Sequence, residues 1–226
     1  MSQSQNNNSI YKGLIFDLDG VLVDTAKYHF IAWKQIADSL GIQFTEKDNE
    51  RLKGVSRMSS FEIILEIGGR SMPVKEKEAF CEEKNEIYLG YVRQLREDEI
   101  LDGVRFFLAD ARAKGYKIAL GSASRNSLLI LERLDIASVF DAIIDGNAAK
   151  RAKPDPEVFV KGAEALGLEN RECIVFEDAE AGIRAAHAAG MKAVGVGLPE
   201  NLGDADIIIP GFTDVTIDSV ISALVS

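Results

Sequence analysis

The chain has 226 residues, of which 46% are hydrophobic and 27% charged, which suits one large or two small folded domains and argues against wholesale disorder. Its formal net charge of -10 argues against a nucleic-acid partner, because phosphate backbones need a basic surface. A small phosphorylated ligand remains compatible, since a few local cations or a metal can hold one.

Residues 1–9 are polar, with three consecutive asparagines, and lack the basic and apolar regions of a secretory signal. Residues 1–11 are expected to form a disordered tail. No apolar run approaches the length of a membrane span, so no membrane partner is expected. Cys81 and Cys173 are far apart and form no CxxC unit, which points away from a disulfide framework or zinc site and toward a reducing, cytoplasmic location.

The first element is Gly13-Leu14-Ile15-Phe16, a short apolar run bracketed by glycines that reads as a buried strand. It runs into two carboxylates, Asp17 and Asp19, with Gly20 next. Asp24 or Thr25 is placed to cap the following helix, whose face is Trp33, Ile36, Ala37 and Leu40 and which stops at Gly41. A basic loop, residues 51–57, precedes a second helix opening at Ser59 or Ser60 and running through Ile63, Ile64 and Ile67. Pro73 sits at the first turn of a third, longer helix reaching about Leu95. Residues 26–95 therefore read as all-helical.

From Asp102 the texture changes. A helix carrying Val104, Phe107, Leu108 and Ala111 ends at Gly115. Lys117-Ile118-Ala119-Leu120-Gly121 is a strand followed by Ser122-Ala123-Ser124-Arg125-Asn126, and the next helix carries Leu128, Leu131 and Leu134. Ala142-Ile143-Ile144 is a strand. Lys153-Pro154 precedes a helix with Val158, Phe159, Ala163 and Leu166. Cys173-Ile174-Val175-Phe176 is a strand ending in Glu177-Asp178. A helix from Gly182 to Ala189, strands at residues 193–196 and 207–209, and a helix over 215–224 complete the chain.

Strands alternating with helices at this spacing imply right-handed βαβ units and a parallel sheet. The expected architecture is α/β: a Rossmann-like parallel-sheet core, residues 12–25 and 96–226, with an inserted all-helical cap domain, residues 26–95. The insertion leaves the first strand at its carboxyl end, where ligands bind in open α/β sheets. The cap would therefore stand over Asp17 and Asp19.

Four strand ends carry polar residues of a coherent kind: Asp17 and Asp19; Ser122, Ser124, Arg125 and Asn126; Lys153; Glu177 and Asp178. Carboxylates brought together repel unless a hard cation binds them. Magnesium suits oxygen ligands and keeps waters that a phosphate can replace. A lysine and a hydroxyl beside that metal complete a phosphate cradle.

The set DxDGxxxDT, a strand ending in serine, a lysine before proline and an ED pair resembles the haloacid dehalogenase-like phosphotransferase superfamily in the same order, over nearly the whole chain. The resemblance implies that Asp17 attacks phosphorus and becomes an aspartyl phosphate, and that Asp19 is the general acid/base. It implies Mg2+ held by Asp17, the Asp19 carbonyl, Glu177 and Asp178. Ser122, the Ala123 amide and Lys153 would hold the transferring phosphoryl group.

In the cap, DTAKYHFIAWKQIA, LKGVSR and EEKN are similar to the β-phosphoglucomutase family. That family interconverts β-glucose 1-phosphate and glucose 6-phosphate through β-glucose 1,6-bisphosphate. The resemblance puts Thr25 at the hinge and His29 against Asp19 when the cap is open. It puts Lys53, Gly54, Val55, Ser56 and Arg57 in the cap loop, with Arg57 on the distal phosphate. Ser60, Lys84 and Asn85 would line the sugar side, and Ser124, Arg125 and Asn126 would complete the site from the core. A mutase needs a second phosphate site because its bisphosphate must turn around, and a guanidinium can grip phosphate in two places. Arg125 stands where the family often has lysine, and Val23 where it often has threonine. Gly68 to Ala79 carries no readable motif, and His187 receives no role.

The alternatives are a magnesium-dependent phosphatase of a small phosphorylated sugar or acid with the same fold, and a non-catalytic regulatory protein. The presence of both Asp17 and Asp19 counts against the latter. Nothing in the sequence demands more than a monomer.

Overall fold

The computed structural model describes residues 10–225; the expected tail at residues 1–9 lies outside them. Six parallel strands form one sheet: β1 (Gly13–Phe16), β2 (Lys117–Gly121), β3 (Ala142–Ile144), β4 (Cys173–Glu177), β5 (Lys192–Val196) and β6 (Ile207–Ile209). Their order is β3-β2-β1-β4-β5-β6. The order reverses between β1 and β4, and that reversal opens a crevice at the carboxyl ends of those strands. β1 delivers Asp17 to the crevice and β4 delivers Glu177.

The expected α/β class with a Rossmann-like core therefore holds. The strands are near-continuously apolar because both faces are covered. Leu14, Phe16, Leu120, Ile174 and Phe176 pack into one core cluster, and Ile15, Ala119, Val175 and Ala193 into another. The period-2 geometry of a strand sends alternate residues to opposite faces. On the first face Phe16 stacks on Phe176 at 4.6 Å, with Phe107 and Phe212 against both.

After β1 the described chain runs through four helices: α1 (Ala26–Ser39), the short α2 (Glu46–Asn49), α3 (Arg57–Ile67) and α4 (Val74–Val92). These helices enclose their own apolar cluster around Trp33, Ile36, Phe44, Phe61 and Ile64. The remaining helices are α5 (Val104–Ala113), α6 (Ser127–Arg133), α7 (Glu157–Leu166), α8 (Glu180–Ala188) and α9 (Ile217–Leu224). Among the described residues no helix is long and apolar enough to cross a membrane.

Several local expectations need correction. α3 opens at Arg57, not at Ser59 or Ser60: Ser56 is the cap, extended in backbone, and its Oγ accepts from the Ser59 amide at 3.1 Å. Thr25 precedes α1, but its side chain makes no capping bond. Leu128 is exposed at 47%, and Ile130 and Leu131 are the hydrophobic residues α6 buries. α4 ends at Val92, and α9 begins at Ile217, behind a capping box made by Thr216 and Ser219. Tyr11, assigned to the tail, is buried in the core cluster.

Candidate active site

The site begins with three carboxylates. Asp17 keeps the sheet register one residue beyond β1, its amide donating to the Phe176 carbonyl at 3.0 Å. One carboxylate oxygen from each of Asp17, Glu177 and Asp178 lies within 4.8 Å of the others. Asp17 and Glu177 are buried. Two glycines make the crowding feasible. Gly20 turns with φ +80°, and a Cβ there would come within 2.3 Å of Asp178 Oδ2. A Cβ on Gly182, in α8, would lie 1.9 Å from Glu177 Oε1.

Lys153 supplies the countercharge. Its buried Nζ donates to Asp17 Oδ1 at 2.6 Å and also to Glu177 Oε1. The second Glu177 oxygen accepts from the Ala179 amide at 3.1 Å. Burial opposes the charge on Lys153, but Asp17 and Glu177 outweigh it and raise its pKa. Burial pushes Glu177 up to about 7, with Asp17 adding to the rise and Lys153 resisting it. Burial, then Glu177 and Asp17, hold Asp178 well above the usual carboxylate range. One lysine does not neutralise three close carboxylates, so a hard divalent cation fits them: the donors are all oxygen, compact and electrically frustrated without one.

Asp19 stands apart from this cluster. It accepts a hydrogen bond from the Thr25 hydroxyl, which is why that hydroxyl does not cap α1. Its side chain keeps 24% of its accessible area, facing the cavity, yet desolvation still dominates and, with Asp17 nearby, raises it to about 6. His29 Nε2 lies 3.6 Å from Asp19 Oδ1, and the other ring nitrogen meets Lys84 Nζ at 2.8 Å. Burial, then Lys84 and Arg57, lower His29 well below its ordinary value, so the imidazole is neutral. Lys84 is driven down to about 7 by burial and by Arg57. A protonated Lys84 donates to Nδ1, which assigns the ring proton to Nε2, on the side of Asp19. Among the described residues His29 Nε2 is buried without a hydrogen-bond partner, and its ring lies 4.1 Å from that of Tyr88.

After β2 the chain folds on itself. The Ser122 amide donates to the Ile144 carbonyl at 2.9 Å. Ser122 Oγ accepts from the Ser124 amide at 3.1 Å, and Ser124 Oγ from the Asn126 amide at 3.3 Å. A Cβ on Gly146 would sit 2.3 Å from the Ala123 carbonyl, so the loop after β3 packs directly on this turn. That contact lets the segment leading to Lys153 form one wall with Ser124 and Arg125.

The cap supplies the facing wall. Lys53 Nζ is 3.0 Å from Glu50 and 3.7 Å from Asp178. Gly54, at φ +70°, sits where a Cβ would touch Ala179 of the core at 3.5 Å. Arg57 Nη2 donates to Asn85 Oδ1 at 2.8 Å, and Nη1 to Glu82 at 3.2 Å. Asn126 Nδ2, from the core, donates to the same Asn85 oxygen at 3.0 Å.

A cavity of about 790 Å³ lies between the two walls. Of the residues singled out in the sequence, Asp17, Asp19, His29, Lys53, Gly54, Val55, Ser56, Arg57, Ser60, Lys84 and Asn85 line it. So do Ser122, Ala123, Ser124, Arg125, Asn126, Lys153 and Asp178. Thr25 and Glu177 are fully buried and do not line it. Sequence reasoning missed Trp33, Asn147, Lys150 and Arg151, which also line it. Trp33 was hidden by its place on an apolar helix face. Lys150 and Arg151 carried a signal, a basic pair just before Lys153, that could have marked them. His187 lies elsewhere, with Nε2 3.0 Å from Asp206.

The chain matches the family described as haloacid dehalogenase-like hydrolase over residues 14–196. It is 42% identical over 209 residues to a beta-phosphoglucomutase of Bacillus subtilis, covering 92% of each chain. It is 32% identical over 205 residues to a phosphorylated carbohydrates phosphatase of Thermotoga maritima, covering 88% of this chain and 90% of the relative. A crystal structure of beta-phosphoglucomutase from Clostridium difficile superposes with a TM-score of 0.91 at 39% identity, covering 95% of this chain and 97% of the other. In sequence and in three dimensions alike, the chain belongs to the haloacid dehalogenase-like hydrolase family.

Proposed function

We propose that this enzyme is a β-phosphoglucomutase, interconverting β-D-glucose 1-phosphate and D-glucose 6-phosphate by way of β-glucose 1,6-bisphosphate. The observation that carries the reading is the make-up of the cavity. Asp17 beside Lys153 forms one set of phosphate-binding groups lining it, and Arg57 and Asn126, cation and amide donors that meet at Asn85, form a second. A bisphosphate needs both sets; a monophosphate hydrolase needs only the first. The similarity to two β-phosphoglucomutases supports the same reading.

The roles follow from chemistry and place. An Asp17 oxygen attacks phosphorus in line, the phosphorus–sugar oxygen bond breaks, and Asp17 becomes an aspartyl phosphate. Asp19, held up to about 6, gives its proton to the departing sugar oxygen. In the other direction a sugar hydroxyl attacks the aspartyl phosphate while Asp19 takes the hydroxyl proton. His29 presents its Nε2 edge to Asp19 at 3.6 Å, while the Thr25 hydroxyl makes the hydrogen bond that holds that carboxylate. Lys153, Ser122 and the Ala123 amide bind the transferring phosphoryl oxygens. Arg57, Ser124, Arg125 and Asn126 bind the distal phosphate. Lys53, Gly54, Val55, Ser56, Ser60, Lys84 and Asn85 face the sugar.

Asp17, Glu177, Asp178 and the Asp19 carbonyl would hold Mg2+, which neutralises charge on the phosphoryl oxygens. Residues 26–95 act as a cap that closes over residues 12–25 and 96–226, with Thr25 at the first hinge. We read the enzyme as a monomer acting on soluble sugar phosphates in the cytoplasm.

The similarity to a phosphatase of phosphorylated carbohydrates favours a second reading, in which water accepts the phosphoryl group from Asp17. One assay separates them. With β-glucose 1-phosphate, Mg2+ and a trace of bisphosphate, glucose 6-phosphate is expected to accumulate without matching free phosphate. Phosphate release without glucose 6-phosphate would replace the mutase reading with the phosphatase.

A further inference from the structure

The cations that line the cavity are mostly balanced by acids, in a chain that is acidic as a whole. Lys153 is shared by Asp17 and Glu177, and Lys53 leans on Glu50 and Asp178. Arg57 pairs with Glu82, and Arg151 with Asp155 and Glu157. Lys84 faces His29 and, driven down to about 7 chiefly by burial, carries only part of a charge at neutral pH. Two lining cations differ. Among the described residues the Arg125 guanidinium and the Lys150 ammonium have no ion pair and no hydrogen bond.

Lys150 is exposed, yet its backbone is anchored on both sides. Before it, Asp145 Oδ1 accepts from the Asn147 and Ala148 amides at 2.9 and 3.1 Å, and the Lys161 ammonium donates to the Ala148 carbonyl at 2.6 Å. After it, Glu157 Oε2 accepts from the Arg151 amide at 2.8 Å. The Lys161 ammonium, then the Arg151 and Lys150 amides, hold the Glu157 carboxyl down at about 2, so this anchor keeps its charge. The same loop is tied to Arg125. Asn147 Nδ2 donates to the Arg125 carbonyl at 3.1 Å, and a Cβ on Gly146 would lie 3.1 Å from Arg125 Cγ. Lys150 also precedes Lys153 by three residues, a reach of at most about 11 Å. The unpaired lysine therefore belongs to the wall segment that joins Arg125 to Lys153.

We propose that Lys150 is a further phosphate-binding residue of this cavity, which with Arg125 supplies the uncompensated charge for the second phosphate of a sugar bisphosphate. This rests on the bisphosphate reading given above and deepens it by one residue. A phosphomonoester carries close to two negative charges at neutral pH. Arg57 brings two aligned donors to the second phosphate, but Glu82 already offsets its charge. Arg125 and Lys150 bring two positive charges that match the dianion. Burial, and then Arg125 against the pull of Glu82, lowers the Arg57 pKa, so Arg125 stands close enough to Arg57 to act on the same group. Lysine suits the part, because a compact charge on a flexible stem meets a phosphate without demanding one geometry. A ligand with a single phosphate is served by the set around Lys153 and depends less on Lys150.

The test uses the full chain with Mg2+ in an Asp17→Asn background, where no transfer consumes the ligand. Calorimetric titration compares β-glucose 1,6-bisphosphate with orthophosphate, for this parent and for Lys150→Met and Lys150→Arg built on it. Lys150→Met should weaken bisphosphate binding about three- to tenfold, the range for one exposed, charge-assisted contact. The ratio of bisphosphate to orthophosphate affinity should fall with it, by about threefold or more. Lys150→Arg should recover most of the loss. A ratio in Lys150→Met equal to that of the parent would overturn the proposal, whether the two affinities are both kept or both reduced alike. So would Lys150→Arg binding as weakly as Lys150→Met, because lost packing and not lost charge would then be the cause. These are equilibrium measurements and hold whether sugar or water receives the phosphoryl group. Failure of the mutase reading shows in the turnover assay and not here.

Discussion

The two walls of the cavity are built differently. On the core side Asp17, Lys153 and Glu177 are 6%, 3% and 0% exposed and bonded to one another. On the cap side the Lys53 and Arg57 side chains keep 28% and 19% of their area and lean on acidic neighbours that are mostly exposed. Strand ends fix the core groups through the backbone of a six-stranded sheet. The start of helix α3 and the glycine-bearing loop before it carry these two cap groups, whose side chains are long. Buried charges interact strongly and tolerate little displacement, whereas exposed ones are screened and replaceable. On the function proposed above, reaction chemistry belongs to the buried wall, and choice of substrate to the more exposed one.

Substitutions at the two walls should therefore fail in different ways. The largest effect is expected at Asp17. Asp17→Asn keeps the shape but removes the attacking oxygen anion, and phosphoryl transfer should fall by roughly a thousandfold or more. Circular dichroism should show the fold intact, and turnover near the wild-type rate would remove Asp17 as the nucleophile. Next is Lys153→Met. Taking away the shared cation leaves Asp17 and Glu177 buried without a partner, which costs about 3–5 kcal/mol of stability. Urea midpoints should show the loss and Mg2+ should recover part of it; an unchanged midpoint would mean that the core wall does not depend on this pairing.

Arg57→Ala should act on affinity, not on stability. kcat/KM should drop about a hundredfold for the bisphosphate, as expected for loss of a charge-assisted clamp, and only slightly for a small aryl phosphate. Equal losses with both substrates would remove Arg57 as the distal clamp.

The smallest effect concerns pH. Lys84 titrates at about 7 in the folded protein, against an ordinary 10.5. Between those values the unfolded chain binds the extra proton, so this group makes stability rise with pH across that window. Its full penalty is present below about 7. Lys84→Met lacks the penalty. Its stability advantage over wild type should be largest near neutral pH and shrink toward pH 10. An advantage that does not change with pH would place Lys84 outside such a desolvated setting.

Much of this was legible in the sequence, for physical reasons. β1, β2 and β4 are short apolar runs ended by glycines or acids, and each strand end keeps its polar residues next to it in the chain. α1, α5 and α7 announce themselves by three-to-four spacing of apolar residues. Ser56, Ser59 and Ser60 are all competent caps for α3, and only the extended backbone at Ser56 selects it. A helical face marks Trp33 as core but does not reveal that its edge opens on a cavity. In α6, only 7 residues long, periodicity does not fix the buried face, and Leu128 is exposed.

By itself, the sequence determined the alternation of strands and helices, the helical insertion after β1 and the identity of the acids at the strand ends. These are local properties, set by side-chain period and turn chemistry within a few residues. Only the tertiary structure decided the partnerships: Lys153 with Asp17 across 136 positions, Asn85 between Arg57 and Asn126, and the Thr25 hydroxyl turned to Asp19 instead of capping its helix. Those contacts depend on which strands lie side by side and where the cap rests, and no short-range pattern in the chain encodes either.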